Sequence, residues 1–164
     1  MLPTDLTVSA VVRHDDDRYL IIEELSSGRR VLTQPGGHID AGESPEQAIV
    51  RETLEETGCT VKPRELIGVY LWIHPQTRQQ FLKLVYASDY VDCDESRSLD
   101  SGVIRRLWMT RDDLEHARHR LRTPVVLRCV HDFEQGKRQS DALLSGMLSL
   151  QKNVEAVLAR ADLV

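Results

Sequence analysis

The stretch G-H-I-D-A-G-E-S-P-E-Q-A-I-V-R-E-T-L-E-E-T-G, from Gly37 to Gly58, decides the fold. Its fixed points are Gly37, Glu43, Arg51-Glu52, Glu55-Glu56 and Gly58, spaced G-x5-E-x7-R-E-x-x-E-E-x-G. Seven positions, each matched by chance about 7% of the time or less, recur by accident roughly once in 10^8 starting residues. Ser44 is a good N-cap, Pro45 suits the first helical position, and Gln47 falls where a capping box wants Glu or Gln. Gly58 suits the residue just past a helix end, where positive φ is cheap for Gly. The spacing therefore predicts a helix over 45–57. On it Glu52, Glu55 and Glu56 stand at i, i+3 and i+4 on one face, and Arg51 reaches Glu55 at i+4. Ile49, Val50 and Leu54 point elsewhere and are expected to pack on a sheet. Ahead of the helix, Gln34-Pro35-Gly36-Gly37-His38 forms a loop whose glycines allow backbone to approach a ligand closely.

Three carboxylates within one helical turn repel one another. Hard divalent cations remove that repulsion and prefer oxygen ligands. Mg²⁺ in particular is shared between a few carboxylates and substrate phosphates. The physical reading is a Mg²⁺ site that handles a polyphosphate, where metals polarise phosphoryl oxygens and lower the pKa of an attacking water. An isolated E-x-x-E-E is ordinarily a solvated helix face. The glycine loop, Glu43, Arg51 and the helix stop together outweigh that reading.

On these residues the segment resembles the signature box of the Nudix hydrolases. The resemblance implies an α/β fold, an α/β/α sandwich around a mixed sheet, and hydrolysis of a diphosphate linked to another moiety. Thr53 departs mildly, standing where the family usually has an aliphatic residue, and Cys59 fills the final apolar position. Further stretches resemble the NudJ-type phosphatase branch: 8–12, 34–38, 72–75, 81–83 and 121–126, spread over roughly residues 5 to 138. That branch removes phosphate from nucleoside tri- and diphosphates and thiamine-type pyrophosphates. The resemblance implies that Glu52, Glu55 and Glu56, with the Gly37 carbonyl, hold Mg²⁺, with Mn²⁺ as the alternative ion. Arg51 would orient the carboxylates, and Glu43 would fix the loop or bind a metal through water. Either Glu52 or a loop acid would be the general base. An acid in the loop before the last strand often serves the metal or acts as base in such relatives; here Asp100 is the first candidate and Glu95 the second.

The remaining sequence fits one domain. At 164 residues the chain can bury one core but not two ordinary ones. We expect a hydrolase domain over 1–140 and a C-terminal helical extension over 141–164, whose apolar residues from Leu143 to Leu158 keep helical spacing. The net charge of −5 argues against general nucleic-acid binding. No apolar run approaches membrane-spanning length, and the start has no signal-peptide pattern. Cys59, Cys93 and Cys129 form no metal-type pair, and their odd number gives no disulfide framework, which suggests a reducing cytoplasm. The expected partner is a small-molecule phosphoanhydride, handled by a monomer or homodimer.

Strands are expected at 6–13, 19–24, near 31–32, at 66–73, 81–87 and 103–108, with helices after Thr110 and from Pro124 to about Phe133. Lys83 alternates with Phe81 and Val85 in an apolar strand. That aims its ammonium either into the substrate cleft toward a phosphate or out along the open sheet face. Gly36 joins it as a substrate-side candidate. Arg105 and Arg106 read as surface charges, His38 as a brace for the loop, and Trp72 and Trp108 as core or cleft wall in preference to a base-stacking platform. Two other functions remain open: hydrolysis of ADP-ribose or another nucleoside-diphosphate compound, and a non-catalytic nucleotide-binding module. Pro75 lies about where the ADP-ribose branch tends to have a proline. A binding-only module would not need all three carboxylates.

Overall fold

The computed structural model describes residues 4–140 and Leu143. Six strands form one sheet: β1 (Thr4–Arg13), β2 (Tyr19–Ser26), β3 (Arg29–Thr33), β4 (Cys59–Ile73), β5 (Gln80–Cys93) and β6 (Val103–Met109). Three helices accompany them: α1 (Pro45–Thr57), α2 (Arg111–His116) and α3 (Val125–Glu134). The strand order is β3-β2-β1-β5-β4, and β6 also pairs β2. β1 runs parallel to β5, while the β4–β5 and β2–β6 pairs are antiparallel, so the sheet is mixed.

The sheet buries both faces because its strands alternate. Val8, Ala10 and Val12 of β1 join Leu20 and the Ala48 and Ile49 side chains of α1 in one core. Val11 turns the other way and joins Ile21, Val85, Leu114 of α2, and Cys129 and Val130 of α3 in a second core. This is the expected α/β/α sandwich, with α1 on one face and α2 and α3 on the other.

Helix α1 keeps the bounds its sequence implies. Ser44 accepts from the Gln47 N–H at 3.2 Å, and Gln47 returns a bond to the Ser44 N–H at 2.8 Å. Gly58 ends it at φ 71°. Its packing face differs from expectation. Pro45, Ala48, Ile49, Thr53 and Thr57 are buried, whereas Val50 and Leu54 are only half-buried. Small and branched residues let the helix sit close to the sheet. Thr53, the mild departure in the box, is fully buried there, and its hydroxyl has no hydrogen-bond partner among the described residues.

Strands β4 and β5 are far longer than their central apolar runs. Pro63 punctuates the β4 sequence, yet β4 lies at the sheet edge, where a missing N–H is tolerated. Bulges near Pro63 and Gly68 absorb the irregularity. The long register places Cys59 opposite Cys93, and the two are joined by a disulfide. The expectation of no disulfide is therefore corrected: two cysteines 34 residues apart meet through strand pairing, and Cys129 is the buried residue left over. The cysteine count thus gives no argument for a reducing compartment. Among the described residues no helix is long and apolar enough to cross a membrane. The expected C-terminal helix falls outside the described residues, apart from Leu143.

Candidate active site

A cleft of about 520 Å³ opens where the 34–38 loop, α1, the β4–β5 hairpin tip and the 119–125 segment meet. Glu52, Glu56, Gly36, Gly37 and Lys83 all line it. A larger open hollow of about 760 Å³ lies between β4 and α3 but holds none of the box residues. The chemistry, not the volume, marks the site.

The glycine loop is pinned to β1. The Val8 N–H donates to the Gly37 carbonyl at 2.8 Å, and the Ala10 N–H donates to Pro35 at 3.0 Å. A Cβ at Gly36, whose φ is +146°, would lie 2.2 Å from the Val8 carbonyl oxygen. A Cβ at Gly37 would lie 2.5 Å from the Glu52 carboxylate. Backbone contact makes Gly36 obligatory, whereas at Gly37 a methyl would displace the Glu52 carboxylate. The Gly37 carbonyl already accepts one hydrogen bond, which leaves one lone pair for a cation. His38 contacts Asp5 at 3.3 Å and forms a bridge with Thr7, so it braces the loop as expected.

Arg51 organises the carboxylates. It donates to Glu43 at 2.9 and 2.8 Å, to Glu52 at 2.8 Å, to Glu55 at 3.2 Å and to the His38 carbonyl at 3.0 Å. Charge-assisted bonds to several acids fix their rotamers and hold the guanidinium pKa above its ordinary value. Glu43 in turn accepts from the Asp40 N–H at 3.1 Å. Its pKa is held below the usual carboxylate range, first by the Arg51 hydrogen bond.

Glu52 and Glu56 shift in the opposite direction from Glu43. Burial raises the Glu52 pKa against the pull of Arg51, and the charges of Glu55 and Asp100 add to the rise. Glu56 is deeper. Burial pushes its carboxyl up to about 8, although the Gly36 N–H donates to it at 2.7 Å. Both acids are thus made harder to ionise by burial, and a cation beside them would offset that cost.

The donor set fits a hard divalent ion, since it consists of carboxylate and carbonyl oxygens around a cleft. Among the described residues no three His, Cys, Asp or Glu side chains converge as a ready-made cage. The geometry explains this: Arg51 draws Glu52 and Glu55 aside, and Gly36 holds Glu56. Asp100 is brought to the same end of α1, because its N–H donates to the Glu55 carbonyl at 3.0 Å. Glu95, the second loop candidate, is exposed and faces Arg106 at 3.4 Å.

Of the residues read outside the box, Arg106 differs from its sequence reading. Arg106 is no surface charge: its side chain is 18% exposed and donates to the Thr57 carbonyl at 2.9 Å, capping α1. Arg105 is more exposed, yet it pairs at 2.7 Å with the buried Glu23, which also binds Arg120. Trp108 packs against the α1-side core, and Trp72 lines the cleft. Lys83 lines the cleft as well, forms no salt bridge with a described residue, and has its pKa lowered first by burial and then by Arg122. Arg122 itself is held by Glu24 at 2.7 Å. Arg122 lies in the 121–126 stretch of the resemblance, which gives it no role; its N–H donates to Leu32 on β3 at 2.9 Å, and its side chain lines the cleft.

A six-stranded mixed sheet, one capped helix carrying the carboxylates and a glycine loop pinned to β1 together define a diphosphate-hydrolase scaffold. The NUDIX domain family matches residues 3–128, and the chain belongs to that family. It is 30% identical to Phosphatase NudJ of Escherichia coli (strain K12) over 138 residues, 84% of this chain and 88% of that protein. A NUDIX hydrolase from Nitrosomonas europaea is 38% identical with a TM-score of 0.82, over 87% of this chain and 96% of that one. An ADP-ribose pyrophosphatase from Streptococcus suis shares the fold at a TM-score of 0.60 and 17% identity, over 83% of this chain and 94% of that one. The protein is accordingly an enzyme of the Nudix hydrolase class, acting on pyrophosphate bonds of small molecules. Enzymes of this class use divalent metal ions.

Proposed function

We propose that the chain is a Mg²⁺-dependent phosphatase of broad specificity, acting on nucleoside tri- and diphosphates and thiamine-type pyrophosphates. The observation that carries this reading is that half-buried Glu52 and Glu56 line one cleft with Lys83. An anionic pole and a cationic pole within one site suit a metal-bound diphosphate. The likeness to Phosphatase NudJ supports the substrate class.

Glu52, Glu55 and Glu56, with the Gly37 carbonyl and Asp100, would hold Mg²⁺, or Mn²⁺ in its place. When bound, the ion neutralises charge on the phosphoryl oxygens. Arg51 keeps the carboxylates oriented, and Glu43 keeps Arg51 and the Asp40 turn in place. Lys83 stabilises negative charge on the phosphate it faces. Glu52, its basicity raised by burial, takes the proton from the attacking water. The Gly36 N–H fixes the Glu56 carboxylate against the loop. The proposed compartment is the cytoplasm, on the substrate class alone, and the proposed assembly is a monomer or homodimer with no nucleic-acid or membrane partner.

The test is phosphate release with Mg²⁺ present or chelated, across nucleoside tri- and diphosphates, thiamine diphosphate and ADP-ribose. Orthophosphate from several of them, abolished by chelator and by Glu56→Gln in a folded protein, is expected. AMP plus ribose phosphate from ADP-ribose alone would replace the substrate assignment. Full activity in Glu56→Gln would sink the metal assignment.

A further inference from the structure

Trp72 and Phe81 stand apart from both cores. The chain has two tryptophans, four tyrosines and two phenylalanines. Tyr19 and Tyr86 are buried in the cores, and Tyr70, Tyr90, Trp108 and Phe133 pack against them. Trp72 and Phe81 do neither, and both line the cleft that holds the carboxylates. They are cross-strand partners in the β4–β5 register. Their ring centroids lie 5.7 Å apart with planes tilted by 32°, and His74 meets Trp72 edge-on at 5.3 Å. Both rings are only partly buried, which leaves apolar surface open to the cleft.

The register also fixes what lies beside them. The adjacent same-face pair is Tyr70 and Lys83, two residues along each strand and so about 7 Å away. One face of the hairpin therefore carries an ammonium, with Arg122 beside it, and then an aromatic pair. A diphosphate seated at Lys83 would present its organic substituent to Trp72 and Phe81. A flat ring there gains offset or edge-on contacts with both residues, which a flexible alkyl chain does not.

We propose that Trp72 and Phe81 are specificity-determining residues that stack a planar aromatic ring carried on the substrate diphosphate. The cleft then favours ring-bearing diphosphates over alkyl diphosphates of equal charge. This rests on the diphosphate-hydrolase reading given above.

Two measurements test it. In Trp108→Phe the indole of Trp72 is the only one left, and its fluorescence is followed with thiamine diphosphate, ADP and inorganic pyrophosphate. Quenching by the ring-bearing ligands and not by pyrophosphate is expected. In parallel, kcat/KM is measured for thiamine diphosphate, ADP and an alkyl diphosphate. The ratio of ring-bearing to alkyl substrate should fall about tenfold or more in Trp72→Ala with Phe81→Leu, mainly through KM, and recover in Trp72→Phe. Thermal melts establish that each variant is folded. An unchanged ratio, or equal loss on all substrates, overturns the proposal. Absence of turnover in the wild-type protein overturns the hydrolase reading alone. The fluorescence experiment still decides ring stacking in that case, and absence of quenching by both ring-bearing ligands rejects it.

Discussion

The Gly36 N–H points at the Glu56 carboxylate across 2.7 Å, joining the glycine loop to the last turn of α1. One hydrogen bond does not offset the burial of that acid, whose pKa stands at about 8. In the unfolded chain the same group titrates in the ordinary carboxylate range. Between the two values the folded chain holds a proton that the unfolded chain has released. Metal-free stability should therefore fall as pH rises from about 5 to about 8. Mg²⁺ competes with that proton, so the stabilisation it confers should grow over the same interval. Thermal melts in chelator and in Mg²⁺ across this range check both trends, and Glu56→Gln should flatten them.

Arg51 is one cation shared by Glu43, Glu52 and Glu55. Its removal leaves Glu43 and Glu52, only 14% and 13% exposed, without their counter-charge. Arg51→Ala should cost about 2–4 kcal/mol of stability, at the lower end of what a broken buried pair costs, because Arg51 is itself partly solvated. Arg51→Lys should recover only part of this, since an ammonium cannot reproduce the forked contacts. Urea denaturation gives the stabilities.

The two loop glycines should respond differently to the same substitution. At Gly36 the added methyl meets Val8 backbone, which cannot move without disturbing β1. Gly36→Ala should cost about 3 kcal/mol or more. At Gly37 the methyl meets the end of the Glu52 side chain, which can swing away. Gly37→Ala should stay folded but lose about a hundredfold in kcat/KM through the displaced carboxylate. Paired melts and kinetics separate the two outcomes.

The Cys59–Cys93 bond closes a segment of 34 residues. Chain-entropy arguments assign it about 4 kcal/mol, and Cys93→Ser should show a loss of that order in oxidised samples. Under reductant the wild-type protein should fall to the level of the variant, as read by urea unfolding.

The extent to which the sequence announces these features follows from how local they are. The bounds of α1 were legible because Ser44, Gln47 and Gly58 carry them within a single helix. The carboxylate cluster was legible because its members lie within one turn. The disulfide, the Arg106 cap on Thr57 and the place of Arg122 were not. Each depends on a strand register or loop contact between residues 34 to 90 positions apart. The full length of β4 was hidden for another reason: Pro63 and the bulges break its alternation, and an edge strand tolerates both.

The pinning of the 34–38 loop to β1 has one more consequence. Apart from Lys83 and Asp100, the parts that would perform hydrolysis belong to α1 and the loop between β3 and α1, which is indexed to β1 in the middle of the sheet. The parts that face the rest of the substrate sit on the β4–β5 hairpin, at its edge. Changes at 72, 74 or 81 can thus alter what the cleft accepts without moving the Val8 contact that sets the loop. On the proposed roles, recognition and most of the chemistry fall to separate mechanical units, so selection can rewrite the former while the carboxylate helix and its loop stay still.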